Sequence, residues 1–248
     1  MILTVDIGNT TIALGAVRKG KIVCLERIDT DAAPRHLRRI LTLFKKNGYT
    51  FDAAVICSVV PQATIIVERI IRKEAKVETK VVGRDIIVPI KNLYKNPRHV
   101  GQDRLVGAYA ALRLYGKPLI VIDLGTAITF DAVSDREEYL GGVIVPGLRL
   151  SLESLFLKTA LLPKIALKAP KGVIGKTTEE SILSGLFYGY GCLCRGMIEL
   201  MARQLRARPK VVMTGGHTHL MKKFISPKIR IIDEDLVHKG LALLSGKT

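Results

Sequence analysis

The sequence predicts an α/β protein in which a βββαβαβ unit occurs twice. First, a short motif recurs half a chain apart, as V-D-I-G-N-T-T at residues 5–11 and as I-D-L-G-T-A-I-T at residues 122–129. Second, each copy directly follows a continuous apolar run, which is typical of a central strand buried on both faces. Third, similar segments follow each copy in the same order. We therefore divide the chain at residues 1–114 and 115–248.

The first half is predicted to open as a three-stranded meander and to continue with helices that alternate with strands. Its first helix is predicted because Leu37, Ile40, Leu41 and Phe44 recur at helical spacing. In chain order, the predicted elements are strands 2–6, 11–18 and 21–29, helix 34–48, strand 53–60, helix 62–74 and strand 79–82.

The second half repeats this order after a helix predicted at residues 105–115. Its predicted elements are strands 119–123, 127–133 and 139–146, helices to about residue 206, strand 210–214 and a closing helix at 235–246. This order differs from that of a doubly wound dinucleotide-binding domain. It is the order of the duplicated actin-like, ribonuclease H-like domains.

The repeated motif combines an aspartate at the end of a strand with a glycine turn. Asp6 and Asp123 end the two strands, and Gly8 and Gly125 permit positive φ or a close backbone approach. Short polar side chains lie around these glycines, namely Asn9, Thr10, Thr11, Thr126 and Thr129. Such turns offer N–H groups and hydroxyls to phosphate, and the aspartates can hold a cation or its waters. The pair therefore predicts a nucleotide cleft between the two halves.

A single D-x-G turn is weak evidence, because a strand end closed by an Asx turn gives the same pattern. Its recurrence in the same context favours phosphate binding. Neither copy is a Walker loop, since the chain contains no G-x-x-x-x-G-K-[ST] motif, and no strand is followed by G-x-G-x-x-G.

Composition is that of a globular protein, with 48% hydrophobic and 25% charged residues. No apolar run reaches about 18 residues, so we expect no membrane span. Because the first strand begins almost at once, we expect no signal peptide and a cytoplasmic location. The four cysteines, Cys24, Cys57, Cys192 and Cys194, lack metal-binding spacing and are interpreted as buried or incidental thiols.

The chain carries 39 Lys and Arg against 22 Asp and Glu, a net charge of +17. Such a surplus attracts polyanions, and it could indicate nucleic acid binding. However, the basic residues are spread over helix-like segments, aromatic residues are only 5%, and no RRM, zinc-finger or basic-zipper pattern occurs. We therefore expect solvated helix faces, no nucleic acid partner, and a field that favours anionic substrates.

Six short motifs follow one another in an order typical of a known family. They are D-I-G-N-T at 6–10, S-V-V-P at 58–61, G-Q-D-R at 101–104, D-L-G-T-A at 123–127, G-G-V-I-V-P-G at 141–147 and T-G-G at 214–216. Together they resemble type III pantothenate kinase, of the acetate and sugar kinase, heat-shock chaperone and actin superfamily. Segments 159–165 and 174–185 are similar to the family too. The resemblance implies ATP-dependent phosphorylation of pantothenate, the first step of coenzyme A synthesis.

The G-Q-D-R motif combines an acid with a cationic fork. An acid at a helix N-terminus is often only a cap, but Arg104 beside Asp103 suits a carboxylated substrate held next to a proton acceptor. The resemblance implies that Asp103 is the general base and that Gly101, Gln102, Asp103 and Arg104 contact pantothenate. It implies the same contact for Tyr94 and Thr178, which could otherwise be a loop tyrosine and a helix-terminal hydroxyl.

The resemblance also implies the residues that hold ATP and its cations. The ATP contacts are Asp6, Ile7, Gly8, Asn9, Thr10, Thr11, Ile12, Ala13, Thr126, Gly215 and Gly216. Asp6 is implied to order Mg²⁺, often through water, and Asp123 to bind potassium or ammonium. A bare T-G-G would indicate only a strand-to-helix turn. The G-G-V-I-V-P-G segment could either shape the site or serve packing.

Two alternative functions stay open at this point. Some sequences that resemble this family act as transcription accessory factors, and another kinase of the superfamily could use a different small hydroxyl substrate. Catalysis is favoured because Asp6, Asp103, Arg104 and Asp123 are all present. The resemblance further implies a homodimer. His217 and His219, in the H-x-H after T-G-G, are expected to be exposed loop histidines rather than metal ligands.

Overall fold

The computed structural model describes residues 1–158, 165–226 and 228–246. Up to the second D-x-G motif, the elements are β1 (Ile2–Ile7), β2 (Thr11–Arg18), β3 (Lys21–Asp29), α1 (Ala33–Lys46), β4 (Ala53–Ser58), α2 (Pro61–Glu74), β5 (Thr79–Val81), β6 (Lys91–Asn92) and α3 (Gln102–Tyr115). The remaining elements are β7 (Leu119–Leu124), β8 (Ala127–Val133), β9 (Glu138–Pro146), α4 (Leu148–Lys158), α5 (Thr178–Ser184), a π-helical segment (Gly185–Gly189), α6 (Tyr190–Leu205), β10 (Lys210–Thr214), α7 (Thr218–Ile225), β11 (Ile231–Ile232) and α8 (Leu236–Leu244).

The chain divides into two compact units. One comprises Met1–Leu114 together with the C-terminal segment that starts at Asp235, and the other comprises Tyr115–Glu234. In the first unit the strand order is β3-β2-β1-β4-β5, and in the second it is β9-β8-β7-β10-β11. The two orders are equivalent, so the predicted duplication of the βββαβαβ unit is confirmed.

Strand register places the two aspartates at equivalent positions. Asp6 on β1 lies opposite Ala13 of antiparallel β2 and opposite Cys57 of parallel β4. Asp123 on β7 lies opposite Thr129 of antiparallel β8 and opposite Thr214 of parallel β10. Each aspartate therefore stands in the central strand of its sheet, one residue before the strand ends.

The two cores explain why the central strands are continuous apolar runs. In the first unit, side chains of β1 and β2 pack with α1, whose buried face contains Leu37, Ile40, Leu41 and Phe44. In the second unit, Ile120 and Ile122 of β7 belong to a core that includes Phe187 and Phe224. Burying these side chains contributes about 1.5–3 kcal/mol each, which fixes the strands and therefore the turns at their ends.

The C-terminal helix α8 corrects the division drawn from the sequence. We predicted that residues 115–248 form one half, but α8 packs against β1, β3 and β4 of the first unit. Thr4 alternates along β1 with the core residues Leu3 and Val5 and so points to the other face of the sheet. There its Oγ1 lies 2.9 Å from Nδ1 of the buried His238. Helical periodicity shows an apolar face but not which sheet that face covers.

Several predicted element ends shift by a few residues. The helix α3 begins at Gln102 rather than at residue 105, so Asp103 lies inside its first turn. The helix α2 begins at Pro61, which fits a first helical position because its missing N–H would have no partner there. Of the family-like segment 159–165, residues 159–164 lie outside the described residues.

None of the helices within the described ranges combines the length and the apolar character that crossing a membrane requires.

Candidate active site

The turn between β1 and β2 is held by its own backbone and by one neighbouring threonine. The Gly8 N–H donates to the Thr11 carbonyl oxygen at 2.9 Å. Thr30 donates its hydroxyl to the Gly8 carbonyl oxygen at 2.8 Å and its N–H to the Thr10 carbonyl oxygen at 3.0 Å. Asn9 stays exposed. The turn is therefore fixed by its carbonyl groups, with its tip open to a ligand.

A concave surface of about 490 Å³ lies beside this turn. Its lining residues are Asn9, Thr10, Asp29, Asp31 and Ala32. The two carboxylates make the wall acidic, so a phosphate group placed here would need a cation between them. Asp6, half-buried at the end of β1, offers one carboxylate. A single carboxylate is what Mg²⁺ takes from a protein when it keeps several waters and substrate phosphates, so the residues present fit this ion.

Asp103 is held in the first turn of α3. Its Oδ1 accepts a hydrogen bond from the Arg104 N–H at 2.8 Å. A Cβ atom at Gly101 would collide with the same oxygen, so a side chain there would displace the Asp103 carboxylate. Burial raises the pKa of Asp103, although the Arg104 N–H and the Arg104 charge oppose this change. A carboxylate with a raised pKa is a stronger proton acceptor.

The surroundings of Cys57 indicate that Asp6 and Asp103 lie near the same region of the first unit. This thiol is fully buried on β4, opposite Asp6. Its pKa is raised well above the usual value, first by burial and then by the negative charges of Asp6 and Asp103. Both carboxylates are therefore close enough to influence the same atom. The sequence showed a buried thiol here but gave no sign that two acids would approach it.

The remaining residues predicted to contact the substrate lie in both units. Tyr94 follows β6 in the first unit, where it is half-buried and its N–H donates to Asn92 Oδ1 at 2.9 Å. Thr178 is exposed at the start of α5 in the second unit. The N-cap of α5 is Thr177, whose hydroxyl accepts the Glu180 N–H at 3.1 Å. Thr178 is therefore not the capping residue of its helix.

The second turn depends on the glycine of T-G-G. Gly215 has a φ of +92°, and a Cβ atom there would collide with Asp123 Oδ1 and lie 2.6 Å from the Leu124 nitrogen. The His217 N–H donates to the Leu124 carbonyl oxygen at 3.1 Å. The T-G-G motif is thus a strand-to-helix turn that also packs directly against Asp123.

Gly147 supports the second turn, a role that the sequence left open for the G-G-V-I-V-P-G segment. Its N–H donates to the Thr126 carbonyl oxygen at 3.0 Å. A Cβ atom at Gly147 would collide with the carbonyl oxygens of Gly125 and Thr126. The end of the segment therefore packs on the turn. A Pro-Gly pair between a strand and a helix is the signal that could have indicated this.

The two histidines after T-G-G differ in environment. His219 is exposed, and its Nε2 lies 3.2 Å from Glu234 Oε1. His217 was expected to be exposed but is half-buried, and burial, followed by the charge of Arg149, lowers its pKa. The His217 N–H bond to the Leu124 carbonyl oxygen holds this residue against the end of β7. Within the described residues, no group of three or more His, Cys, Asp or Glu side chains could hold a metal ion.

Comparisons of the sequence with known proteins give matches that cover most of the chain. The family model described as type III pantothenate kinase matches residues 2–200. A type III pantothenate kinase of Persephonella marina is 43% identical over 229 residues, which cover 90% of this chain and 90% of that protein.

Two solved structures show the same fold at low sequence identity. A Campylobacter jejuni protein assigned to the Baf family of transcriptional activators has a TM-score of 0.62 at 18% identity, over 99% of this chain and 98% of that one. The inorganic polyphosphate/ATP-glucomannokinase of Arthrobacter sp. strain KM has a TM-score of 0.52 at 14% identity, over 100% and 99% of the two chains. These similarities support the duplicated actin-like fold and carry no argument about substrate.

Proposed function

The chain belongs to the type III pantothenate kinase family, so its reaction is the phosphorylation of pantothenate by ATP in coenzyme A synthesis, and we propose that Asp103 is the general base. One observation carries the proposal. The Asp103 carboxylate is half-buried at the start of α3, has a raised pKa and is held by the Arg104 N–H. A proton acceptor with a fixed position is what attack by a hydroxyl requires.

In the proposed reaction, Asp103 accepts the proton of the primary hydroxyl of pantothenate. The hydroxyl oxygen then forms a bond to the terminal phosphorus of ATP, the bond from that phosphorus to the bridging oxygen breaks, and ADP leaves. Arg104 binds the carboxylate of pantothenate through its guanidinium group, which matches a carboxylate in shape and charge. Gly101, Gln102, Tyr94 and Thr178 are the further proposed substrate contacts.

The two turns supply the proposed nucleotide contacts. Residues 6–13 and Thr126 contact the phosphates of ATP, and Gly215 and Gly216 lie on its adenosine side. Asp6 would hold Mg²⁺ through water, and the ion would neutralise phosphate charge. Asp123 is the proposed ligand of potassium or ammonium, and equal turnover in sodium would contradict this assignment. Because ATP is the phosphate donor, we place the reaction in the cytoplasm.

The test is a coupled phosphorylation assay with pantothenate and Mg-ATP, on the wild-type protein and on Asp103→Asn. We expect the variant to bind both substrates with similar affinity and to lose at least about 100-fold in kcat, because general base catalysis contributes about 10²–10⁴-fold. Substrate affinity is measured separately by calorimetry. Near wild-type turnover by Asp103→Asn would remove Asp103 from this role. A wild-type protein without turnover would favour the transcription accessory function.

The helix α4 supports a further part of the proposal, a homodimer. Its sequence L-R-L-S-L-E-S-L-F-L-K is apolar on most sides, yet only Leu148 and Leu152 are buried. Leu150 is 45% exposed, Phe156 41% and Leu157 72%. A helix of this composition is normally covered on all sides, so a second copy of the chain is the proposed cover.

Light scattering coupled to size-exclusion chromatography tests the homodimer. The wild-type chain should elute at twice its mass of 27.3 kDa. Leu157→Glu should yield monomers, because it places a charge in the proposed contact. Ile87→Glu is the matched control, since Ile87 is 86% exposed but lies outside α4, and it should leave the dimer intact. A monomeric wild-type protein would contradict the proposal.

A further inference from the structure

The corner between β4 and α2 is closed by side-chain hydroxyls. We call residues 58–64 the β4–α2 corner. Thr64 donates its hydroxyl to Ser58 Oγ at 2.7 Å and also lies 2.9 Å from the Val60 carbonyl oxygen. Ser58 Oγ in turn accepts the Val60 N–H at 3.0 Å. Pro61 has no N–H to contribute, so these hydroxyls replace the backbone bonds that end with β4.

The same corner contacts both parts of the proposed catalytic site in the first unit. The Val59 N–H donates to the carbonyl oxygen of Ile7, the residue directly before Gly8 in the first turn. The Val59 side chain lies beside Gly101, since its Cγ1 would be 3.7 Å from a Cβ atom there. Val59 therefore joins the end of β1 to the residue that makes room for the Asp103 carboxylate.

We propose that Ser58 and Thr64 are positioning residues for the reaction. Their hydroxyl pair fixes Val59, and Val59 sets the position of Asp103 relative to the first turn. The inference rests on the proposed role of Asp103 as the base. A displacement of about 1 Å between reacting groups can reduce a rate by about 100-fold, so a small movement of this corner is sufficient to lower turnover.

The Thr64 side chain is buried, unlike an exposed hydroxyl at the start of a helix. Thr64 is 9% exposed and Ser58 is half-buried, so neither hydroxyl can exchange its partner freely for water. Removing the Thr64 hydroxyl takes a donor from Ser58 Oγ and from the Val60 carbonyl oxygen, and removing the Ser58 hydroxyl takes the acceptor from the Val60 N–H. The corner should respond by moving rather than by unfolding, because the apolar contacts of β4 and α2 stay in place.

Thr64→Val tests the proposal, since valine keeps the shape and removes the hydroxyl. We expect kcat to fall about 10-fold, with the KM values for ATP and pantothenate changed by less than about twofold. Thr64→Ser keeps the hydroxyl and should restore kcat. Thr42→Val is the matched control, because Thr42 makes a comparable bond to the Arg38 carbonyl oxygen at 2.9 Å on α1. It should leave kcat unchanged.

Asp103→Asn separates the two proposals. Wild-type kcat in Thr64→Val, with loss of kcat in Asp103→Asn, would overturn the positioning role and leave the base assignment intact. Turnover by Asp103→Asn would overturn both. An equal loss in Thr64→Ser and Thr64→Val would also overturn the positioning role, because side-chain volume and not the hydroxyl would then matter. If Thr64→Val fails to fold, Ser58→Ala replaces it with the same expected loss of kcat.

Discussion

The position of the Asp103 carboxylate depends on the absence of a side chain at Gly101. The acid reaches its position because Gly101 presents no side chain to its Oδ1, and because α3 begins at Gln102 and offers the Arg104 N–H. Burial then raises the pKa of the carboxyl, which increases its strength as a base. The spacing of G-x-D-R is therefore a packing requirement as well as a family signature.

We predict that Gly101→Ala lowers kcat by about 10-fold or more, because the added methyl group must displace the Asp103 carboxylate. Gly107→Ala is the matched control on the same helix, since a Cβ atom there meets nothing within 4 Å. It should leave kcat unchanged and stabilise α3 by about 0.5–1 kcal/mol. Steady-state kinetics and urea unfolding distinguish the two effects. Equal kcat values for the two variants would contradict the packing argument.

At the residue scale, candidate functional side chains are easier to select from the sequence than the contacts between residues. Asp6, Asp103 and Asp123 could be selected because each acid stands at a strand end or a helix start with a glycine nearby. The contact of Val59 with Gly101 could not be selected, because it joins residues from separate parts of the chain. Hydrogen bonds across such separations depend on packing that no local pattern encodes.

At the scale of elements, each glycine turn is supported by a neighbouring segment of its own unit. Thr30, after β3, donates to the first turn, and Gly147, after β9, donates to the second. Both supports follow the third strand of their meander, so the duplication extends beyond the turns themselves. Both residues donate a backbone N–H to a carbonyl oxygen of the turn, and Thr30 adds its hydroxyl.

We predict that Gly147→Ala raises the KM for ATP about 10-fold, while the KM for pantothenate changes little. The methyl group would collide with two backbone carbonyl oxygens, which cannot rotate away as a side chain can. Gly196→Ala in α6 is the control, because nothing lies within 4 Å of its Cβ position. Substrate titrations measure both effects. A wild-type KM for ATP in Gly147→Ala would show that the second turn does not contact the nucleotide.

The sequence predicted the strands well and the helix starts less well. Central strands such as β1 and β7 are buried on both faces, so their apolar runs are visible without an alignment. The start of α3 was missed because Gln102 and Asp103 carry no apolar periodicity, and a helix can begin with polar residues that face a site. The π-helical segment at Gly185–Gly189 was missed for a related reason, since it continues the pattern of its neighbours.

At the scale of the whole molecule, α8 belongs to the first unit although it follows the second in the chain. Its His238 is buried against Thr4 and forms the polar contact between this helix and β1. Burial, and then the charge of Arg27, lower the pKa of His238 to about 4. Arg27 also pairs with Asp235, just before α8, at 3.7 Å.

We predict that stability falls as the pH decreases from about 6.5 to about 4. The unfolded chain binds a proton at His238 in this window while the folded protein does not, so protonation favours unfolding, by about 2–3 kcal/mol in total. His238→Asn keeps a hydrogen-bonding side chain for Thr4 and should flatten this part of the pH dependence in urea unfolding. His36→Asn, on the exposed side of α1, is the control and should keep it. An unchanged slope in His238→Asn would contradict the assignment.

The position of α8 also affects the order in which the protein can fold during its synthesis. The strand β1 leaves the ribosome before the second unit, whereas the helix that covers its Thr4 face leaves after all of Tyr115–Glu234. The nascent first unit therefore lacks α8 on one face of its sheet while the second unit is synthesised. A chain released before residue 236 would keep Asp6 and Asp103 but lack the helix that packs against β1, β3 and β4.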